Sequence, residues 1–196
     1  MLPPELDSPR GRARLLATTA TLVAAGPISL DLYLPAFPSM AESLGVQVGD
    51  VQRTMSAYLL GLALGQLVYG PLSDRFGRKP PLIAGLILYT VASLLCVLAP
   101  SLPMLVALRV LQALGGCAPI VISRAVVRDC FEGPGLARAF SVNTSVSMAA
   151  PVLAPTIGAL ILRTGSWHGT FLAGAAYGAV CLVLAAFLPD GVELGE

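Results

Sequence analysis

The sequence predicts an all-α membrane protein, a bundle of six transmembrane helices. Three observations lead there. Of the 196 residues, 56% are hydrophobic and only 12% are charged, whereas a soluble domain carries about 25% charged residues. The apolar residues lie in six long runs separated by short polar breaks, not scattered with a period of 2 or 3.6. Each run reaches the roughly 20 residues that a membrane span requires.

The spans are read at 15–37, 51–73, 80–99, 102–124, 138–162 and 167–188. That leaves a cytoplasmic N-terminal tail over 1–14, a six-helix domain over 15–188 and a cytoplasmic C-terminal tail over 189–196. The first run is too long for a signal-peptide core and further spans follow it, so it is expected to stay in the mature protein. Asp50 is expected to cap the second helix, and Pro80 and Pro81 suit the first turn of the third, where a missing N–H costs nothing. Pro100 and Pro103 bracket a tight turn before the fourth.

Basic residues orient the chain, because cytoplasmic loops retain Lys and Arg. With the N-terminus inside, the inner side holds Arg10, Arg12, Arg14, Arg75, Arg78, Lys79, Arg124, Arg128 and Arg138, against Arg53 and Arg163 outside. Both termini are therefore expected in the cytoplasm. The net charge of +1 makes no case for nucleic acid or an acidic partner. Lys79 is the single lysine beside eleven arginines, which points to a GC-rich bacterial genome. Cys96, Cys117, Cys130 and Cys181 show no C-x-x-C spacing and read as small buried hydrophobes, and no metal site or cofactor is expected. His168 beside Trp167 reads as an interfacial belt residue.

Asp31 and Arg109 are charged residues placed inside spans, where each costs roughly 2.5–3.5 kcal/mol. Such residues face a cavity or a partner. Counting along the helices puts Asp31 about 9 Å and Arg109 about 10 Å from the outer surface, so they can meet at one level. A static pair joining the first and fourth helices and a transport role both fit. Tyr33, Tyr58, Gln66, Gln112, Asn143 and Ser147 are polar residues able to line a substrate cavity or simply bridge helices. Ala57, Gly61 and Gly65 form a small-residue stripe on the second helix that admits another helix closely, with no evident taker inside a six-helix bundle. Pro151 and Pro155, four apart in the fifth helix, free two carbonyls and bend it.

The segment Gly70-Pro71-Leu72-Ser73-Asp74-Arg75-Phe76-Gly77-Arg78-Lys79 reads as a tight, charged inner loop. It resembles the G-x-L-x-D-R-x-G-R-K loop of the major facilitator superfamily. Asp31-Leu32-Tyr33-Leu34-Pro35-Ala36-Phe37-Pro38 and Gln66-Leu67-Val68-Tyr69-Gly70 are similar to the Bcr/CflA group of drug:proton antiporters. The resemblance covers essentially the whole chain and corresponds to the N-terminal half of a twelve-helix fold. It implies two inverted three-helix units, although no residue-level repeat joins them.

The resemblance also implies roles. Gly70, Asp74, Arg75, Gly77, Arg78 and Asp129 would form a conformational latch in which Arg78 pairs with Asp129 and Asp74 faces the other half of the carrier. Leu105-Val106-Ala107-Leu108-Arg109-Val110-Leu111-Gln112-Ala113-Leu114-Gly115 resembles the fourth-helix motif whose arginine is implicated in proton coupling, and Asp31 matches the group's first-helix acid. Pro151, Pro155 and Gly158 resemble the fifth-helix antiporter motif, G-P-x-x-G-G, with Ala150 and Ala159 departing from its glycines.

The function so implied is proton-coupled efflux of small molecules or drugs across the bacterial inner membrane. Substrate, protons, the bilayer and a second six-helix half or homodimer would be the partners. A truncated or split-gene fragment without autonomous transport is the alternative. An intramembrane serine protease lacks a G-x-S-x-G and an embedded histidine, and a channel lacks a filter loop or ring of acids, so no enzymatic or catalytic role is expected.

Overall fold

The structure, a computed structural model, describes residues 8–188, so the expected tails lie outside the described residues at 1–7 and 189–196. Within the described residues every regular element is helical, and six helices are long and apolar enough to cross a membrane. The first span is built from α1 (Pro9–Val23), α2 (Ala25–Asp31), a 3-10 turn at Leu34–Ala36 and α3 (Phe37–Leu44). The others are α4 (Val48–Phe76), α5 (Lys79–Val97), α6 (Leu102–Cys130), α7 (Gly133–Thr164) and α8 (His168–Ala186).

Most helices outrun the apolar runs that announced them. α1 begins at Pro9 instead of 15, because the Ser8 hydroxyl accepts the Gly11 N–H at 3.0 Å and Pro9 opens the first turn. α4 begins at Val48, so Asp50 does not cap it but sits in its first turn, 2.9 Å from Arg53. Gly70 to Phe76 are helical, not loop: Pro71 removes one N–H without ending α4, which stops at Gly77 with φ +80°. The connection to α5 is only Gly77 and Arg78, after which Pro80 and Pro81 occupy the first turn as expected. α7 stays one helix through Pro151 and Pro155.

The first span is the irregular one. Pro27, Pro35 and Pro38 bring no N–H to the carbonyls four residues earlier, those of Val23, Asp31 and Leu34. The helix breaks beside those carbonyls, at Ala24 and around Leu32 and Tyr33. Near the first break the Tyr177 hydroxyl donates to the Thr21 carbonyl at 2.6 Å. At the second, α7 comes so close that a Cβ on Gly158 would overlap the Leu32 carbonyl oxygen.

Small residues set the rest of the packing. The stripe on α4 is taken up inside the chain, by α6. A Cβ on Gly61 would lie 2.6 Å from the Val110 carbonyl oxygen, and one on Gly65 would lie 2.6 Å from Cys117 Cβ. This corrects the expectation that the stripe awaits a helix from elsewhere. α6 in turn packs on α5 through Gly115 and Gly85, and α5 on α8. All four cysteines are buried thiols. Trp167 is buried too, stacked on His168 and edge-on to Phe171, so it belongs to the core.

Two apolar clusters fill the bundle. One, around Leu22, Tyr69, Leu86 and Ile122, lies toward the α4–α5 connection. The other, around Tyr33, Met40, Cys96, Leu105 and Trp167, lies toward the α3–α4 connection. α4 and α7 are the least covered helices. Of their most apolar stretches 28% and 17% is buried, against 61% for the first span and α6. Leu60, Leu64 and Leu67 of α4 and Met148, Val152 and Leu153 of α7 stand exposed.

Candidate functional site

A polar layer crosses the bundle between the two apolar clusters, and Arg109 is its centre. α6 places Arg109 where its side chain is fully buried. Its Nη1 donates to Gln112 Oε1 at 2.5 Å, one turn along the same helix, and its Nη2 donates to the Ser29 carbonyl at 3.2 Å. The guanidinium carbon lies 4.1 Å from the Tyr33 ring centroid, 4.2 Å from Tyr58 and 5.6 Å from Phe171. Aromatic faces attract a cation most strongly where water is excluded. Gln112 donates onward to Ser93 Oγ at 2.7 Å, and Ser29 Oγ meets the Tyr89 hydroxyl at 2.5 Å. Arg109 is thus held by neutral groups from α2, α4, α6 and α8, with Nε left without a hydrogen bond.

Asp31 and Arg109 do not pair, and no ion pair within 4.0 Å joins Asp31 to any described cation. Their levels do agree: Arg109 reaches the carbonyl of Ser29, only two residues from Asp31. The faces do not. At 100° per residue, two residues turn a side chain by about 200° around the helix, so Asp31 points away from the side that meets α6. Asp31 is half-buried and sits at the last residue of α2, directly before the second break.

A second charged cluster lies at the α4–α5 connection. Arg78 is 6% exposed, and its Nε donates to Asp129 Oδ2 at 2.9 Å while Nη1 donates to Asp74 Oδ1 at 2.6 Å and Ser73 Oγ at 2.8 Å. One guanidinium therefore ties the ends of α4 and α6. Arg128 reaches Asp129 at 3.8 Å, while Arg75 is exposed above the Phe76 ring. Gly70 has nothing within 4 Å of where a Cβ would stand.

The cavity candidates separate into two groups. Tyr33, Tyr58 and Gln112 are consumed by Arg109, and Gln66 lies on the exposed side of α4. Asn143 and Ser147 of α7 line a cavity of about 390 Å³ bounded also by α1 and α6, with Val23, Arg124, Phe140 and Met148. Pro151 borders the same cavity. Sequence reasoning missed Ser29, Tyr89, Ser93 and Phe171 in the polar layer. Only the one-turn spacing 89–93 signalled two of them, since a lone Ser or Phe in an apolar run carries no further mark.

Comparison with known proteins identifies this architecture. The family model of the Major Facilitator Superfamily matches residues 19–194. The chain belongs to the major facilitator superfamily. It is 40% identical over 170 residues to the MFS-type transporter YdgK of Bacillus subtilis (strain 168), an alignment covering 85% of this chain and 42% of that protein. It is 37% identical over 162 residues to the bicyclomycin resistance protein homolog of Haemophilus influenzae, covering 83% of this chain and 41% of that one. The proton:xylose symporter XylE superposes with a TM-score of 0.81 at 14% identity, over 91% of this chain and 45% of the symporter, a likeness of fold alone. The chain spans about two fifths of the length of the curated relatives it matches, and its six helices are the N-terminal half of the superfamily fold.

Proposed function

We propose that this chain is one six-helix half of a proton-coupled exporter of small molecules, with Asp31 as the acid that carries the proton. The observation behind the proposal is the division of labour in the polar layer. Arg109 is held by neutral acceptors and aromatic rings, so Asp31 stands in a span with no described cation paired to it. An intramembrane acid without a partner reads as functional. Its place at a helix break beside α7 gives it backbone able to move, whereas Arg109 is an anchor that orders the layer around it. The relatives named for bicyclomycin and multidrug resistance support a drug-like cargo.

The charge bias puts the α4–α5 connection and both termini in the cytoplasm of a bacterial cell. The Arg78–Asp74–Asp129 cluster then lies at the inner surface as a latch. The latch, Asp31 and the uncovered faces of α4 and α7 call for a second six-helix body. The coverage of relatives and those exposed faces favour a second reading for the isolated chain, that it performs no transport unaided.

Two assays test these readings. In vesicles holding the chain assembled with a matching C-terminal half, Asp31→Asn is expected to abolish bicyclomycin efflux driven by a proton gradient while leaving insertion intact. Normal proton-driven efflux by that variant refutes Asp31 as the carrier. Expression of the chain by itself in a strain stripped of efflux pumps is expected to leave resistance at the level of empty vector. Export that Asp31→Asn removes would overturn the second reading.

A further inference from the structure

We infer that the cavity between α1, α6 and α7 is a subsite for an oxyanion, the carboxylate of a small molecule with an aromatic or apolar body. This deepens the transport proposal and rests on it. The cavity measures about 390 Å³, in the size range of small-molecule sites. Its polar lining offers donors and no acid: Arg124 and Asn143, with the hydroxyl residues Thr144 and Ser147 alongside. Facing them are Val23, Phe140 and Met148, which suit a flat apolar body.

Two features mark Asn143 and Arg124 as waiting for a ligand. Asn143 is 3% exposed, and its Nδ2 has no hydrogen-bond partner. Its Oδ1 is met by Thr19 Oγ1 of α1 at 3.4 Å, which orients the amide and leaves the NH2 group free. A buried unpaired amide donor is costly, and an arriving acceptor removes that cost. Arg124 makes no ion pair with any described acid. The neighbouring acid on α6, Asp129, is committed to Arg78. A planar guanidinium binds a carboxylate through two parallel bonds, and the amide adds a third donor from α7. The donors thus come from α6 and α7 while α1 supports one of them, so a bound anion would bridge three spans.

Lipid phosphate shares the chemistry of a carboxylate, so the experiment separates the two. The probe is radiolabelled 1-naphthoate against neutral 1-naphthamide, bound to the full chain in phosphatidylcholine nanodiscs. Naphthoate is expected to bind about tenfold more tightly than the amide, the worth of one charge-assisted contact. Arg124→Gln should erase that preference, Arg124→Lys should keep part of it, and Asn143→Leu should weaken naphthoate severalfold. Arg138→Gln, which removes an exposed basic charge outside the cavity, should change nothing. Circular dichroism and elution volume identify any variant that fails to fold, and Arg124→Lys keeps the test decisive in that case. Equal affinity for acid and amide, an equal loss from Arg138→Gln, or displacement of naphthoate by a few per cent of phosphatidylglycerol would each overturn the proposal. Binding is read without a gradient or a second half, so its failure is distinct from failure of Asp31 as proton carrier.

Discussion

Arg109 and Asp31 offer the sharpest quantitative test, because an ion pair and an independent anchor predict different couplings. Replacing Arg109 by Ala removes hydrogen bonds to Gln112 and Ser29 and the faces of Tyr33 and Tyr58. Two charge-assisted bonds at the low end of their range contribute about 3 kcal/mol. Two desolvated aromatic faces contribute about another 3 kcal/mol. Releasing the guanidinium from a span returns roughly 3 kcal/mol. The net expected loss is about 3 kcal/mol, to which the stranded Gln112 amide adds. Asp31→Asn removes no partner and takes a charge out of a span, so it should leave stability unchanged or raise it by up to about 3 kcal/mol. The assay is a double-mutant cycle of reversible unfolding in mixed micelles, on Arg109→Ala, Asp31→Asn and the double variant. The two effects should add to within about 0.5 kcal/mol. A coupling above about 1 kcal/mol would mean that the two charges share a pair in the membrane, and would refute the account of Arg109 as a neutral-caged anchor.

Other outcomes follow from particular contacts. Gly158→Leu should prevent α7 from seating against the first span, read as loss of a monodisperse peak on size exclusion, while Gly70→Ala meets nothing and should leave stability unchanged or raised by about 0.5 kcal/mol. Asp129→Asn takes a bond from a buried guanidinium and should cost about 2 kcal/mol, whereas Asp74→Asn, 59% exposed, should cost under about 1 kcal/mol in the same unfolding assay. For topology, cysteine at Ser43 should react with impermeant maleimide from outside intact cells and cysteine at Phe76 should not. Both positions are exposed, whereas the nearby Gly45 and Gly77 have a positive φ that would strain a side chain. Labelling of Phe76→Cys from outside would reverse the assigned orientation.

The number of spans and the pairing of Arg78 with Asp129 were legible in the sequence, the first from apolar runs, the second from motif resemblance. Helix ends were not, because hydropathy reports where the bilayer is, and backbone hydrogen bonding continues past it into water. That is why α6 runs to Cys130 and not 124, and why α4 carries Gly70 to Phe76 as helix. The relation of Asp31 to Arg109 failed for a geometric reason. Counting residues gives depth, but contact also needs the rotation of each helix, which the breaks around Pro27 and Pro35 obscure. The stripe at Ala57, Gly61 and Gly65 announced a close helix without saying which one. The cavity of Arg124 and Asn143 is assembled from three spans, and no local pattern announces such a convergence.

The destination of that stripe changes what the charge cluster around Arg78 has to do. Gly61 and Gly65 already hold α4 closely against α6, and Gly85 and Gly115 hold α6 against α5. Contacts this close tolerate little sliding, so the three helices behave as one rigid unit. The bonds from Arg78 to Asp74 and Asp129 add a tie between the ends of α4 and α6 and fix the side chains there. Asp129, 18% exposed, is the enclosed member, while Asp74 accepts from Arg78 through Oδ1 and its side chain is 59% exposed. The proposed latch between two halves needs a group that is both positioned from behind and open in front. Of the two acids only Asp74 meets both conditions, with Asp129 serving to aim the guanidinium that positions it. The apolar side chains that α4 presents beyond the stripe, Leu60, Leu64 and Leu67, are long and flexible. A second body meeting them would rest on a surface that can shift, over a unit that cannot.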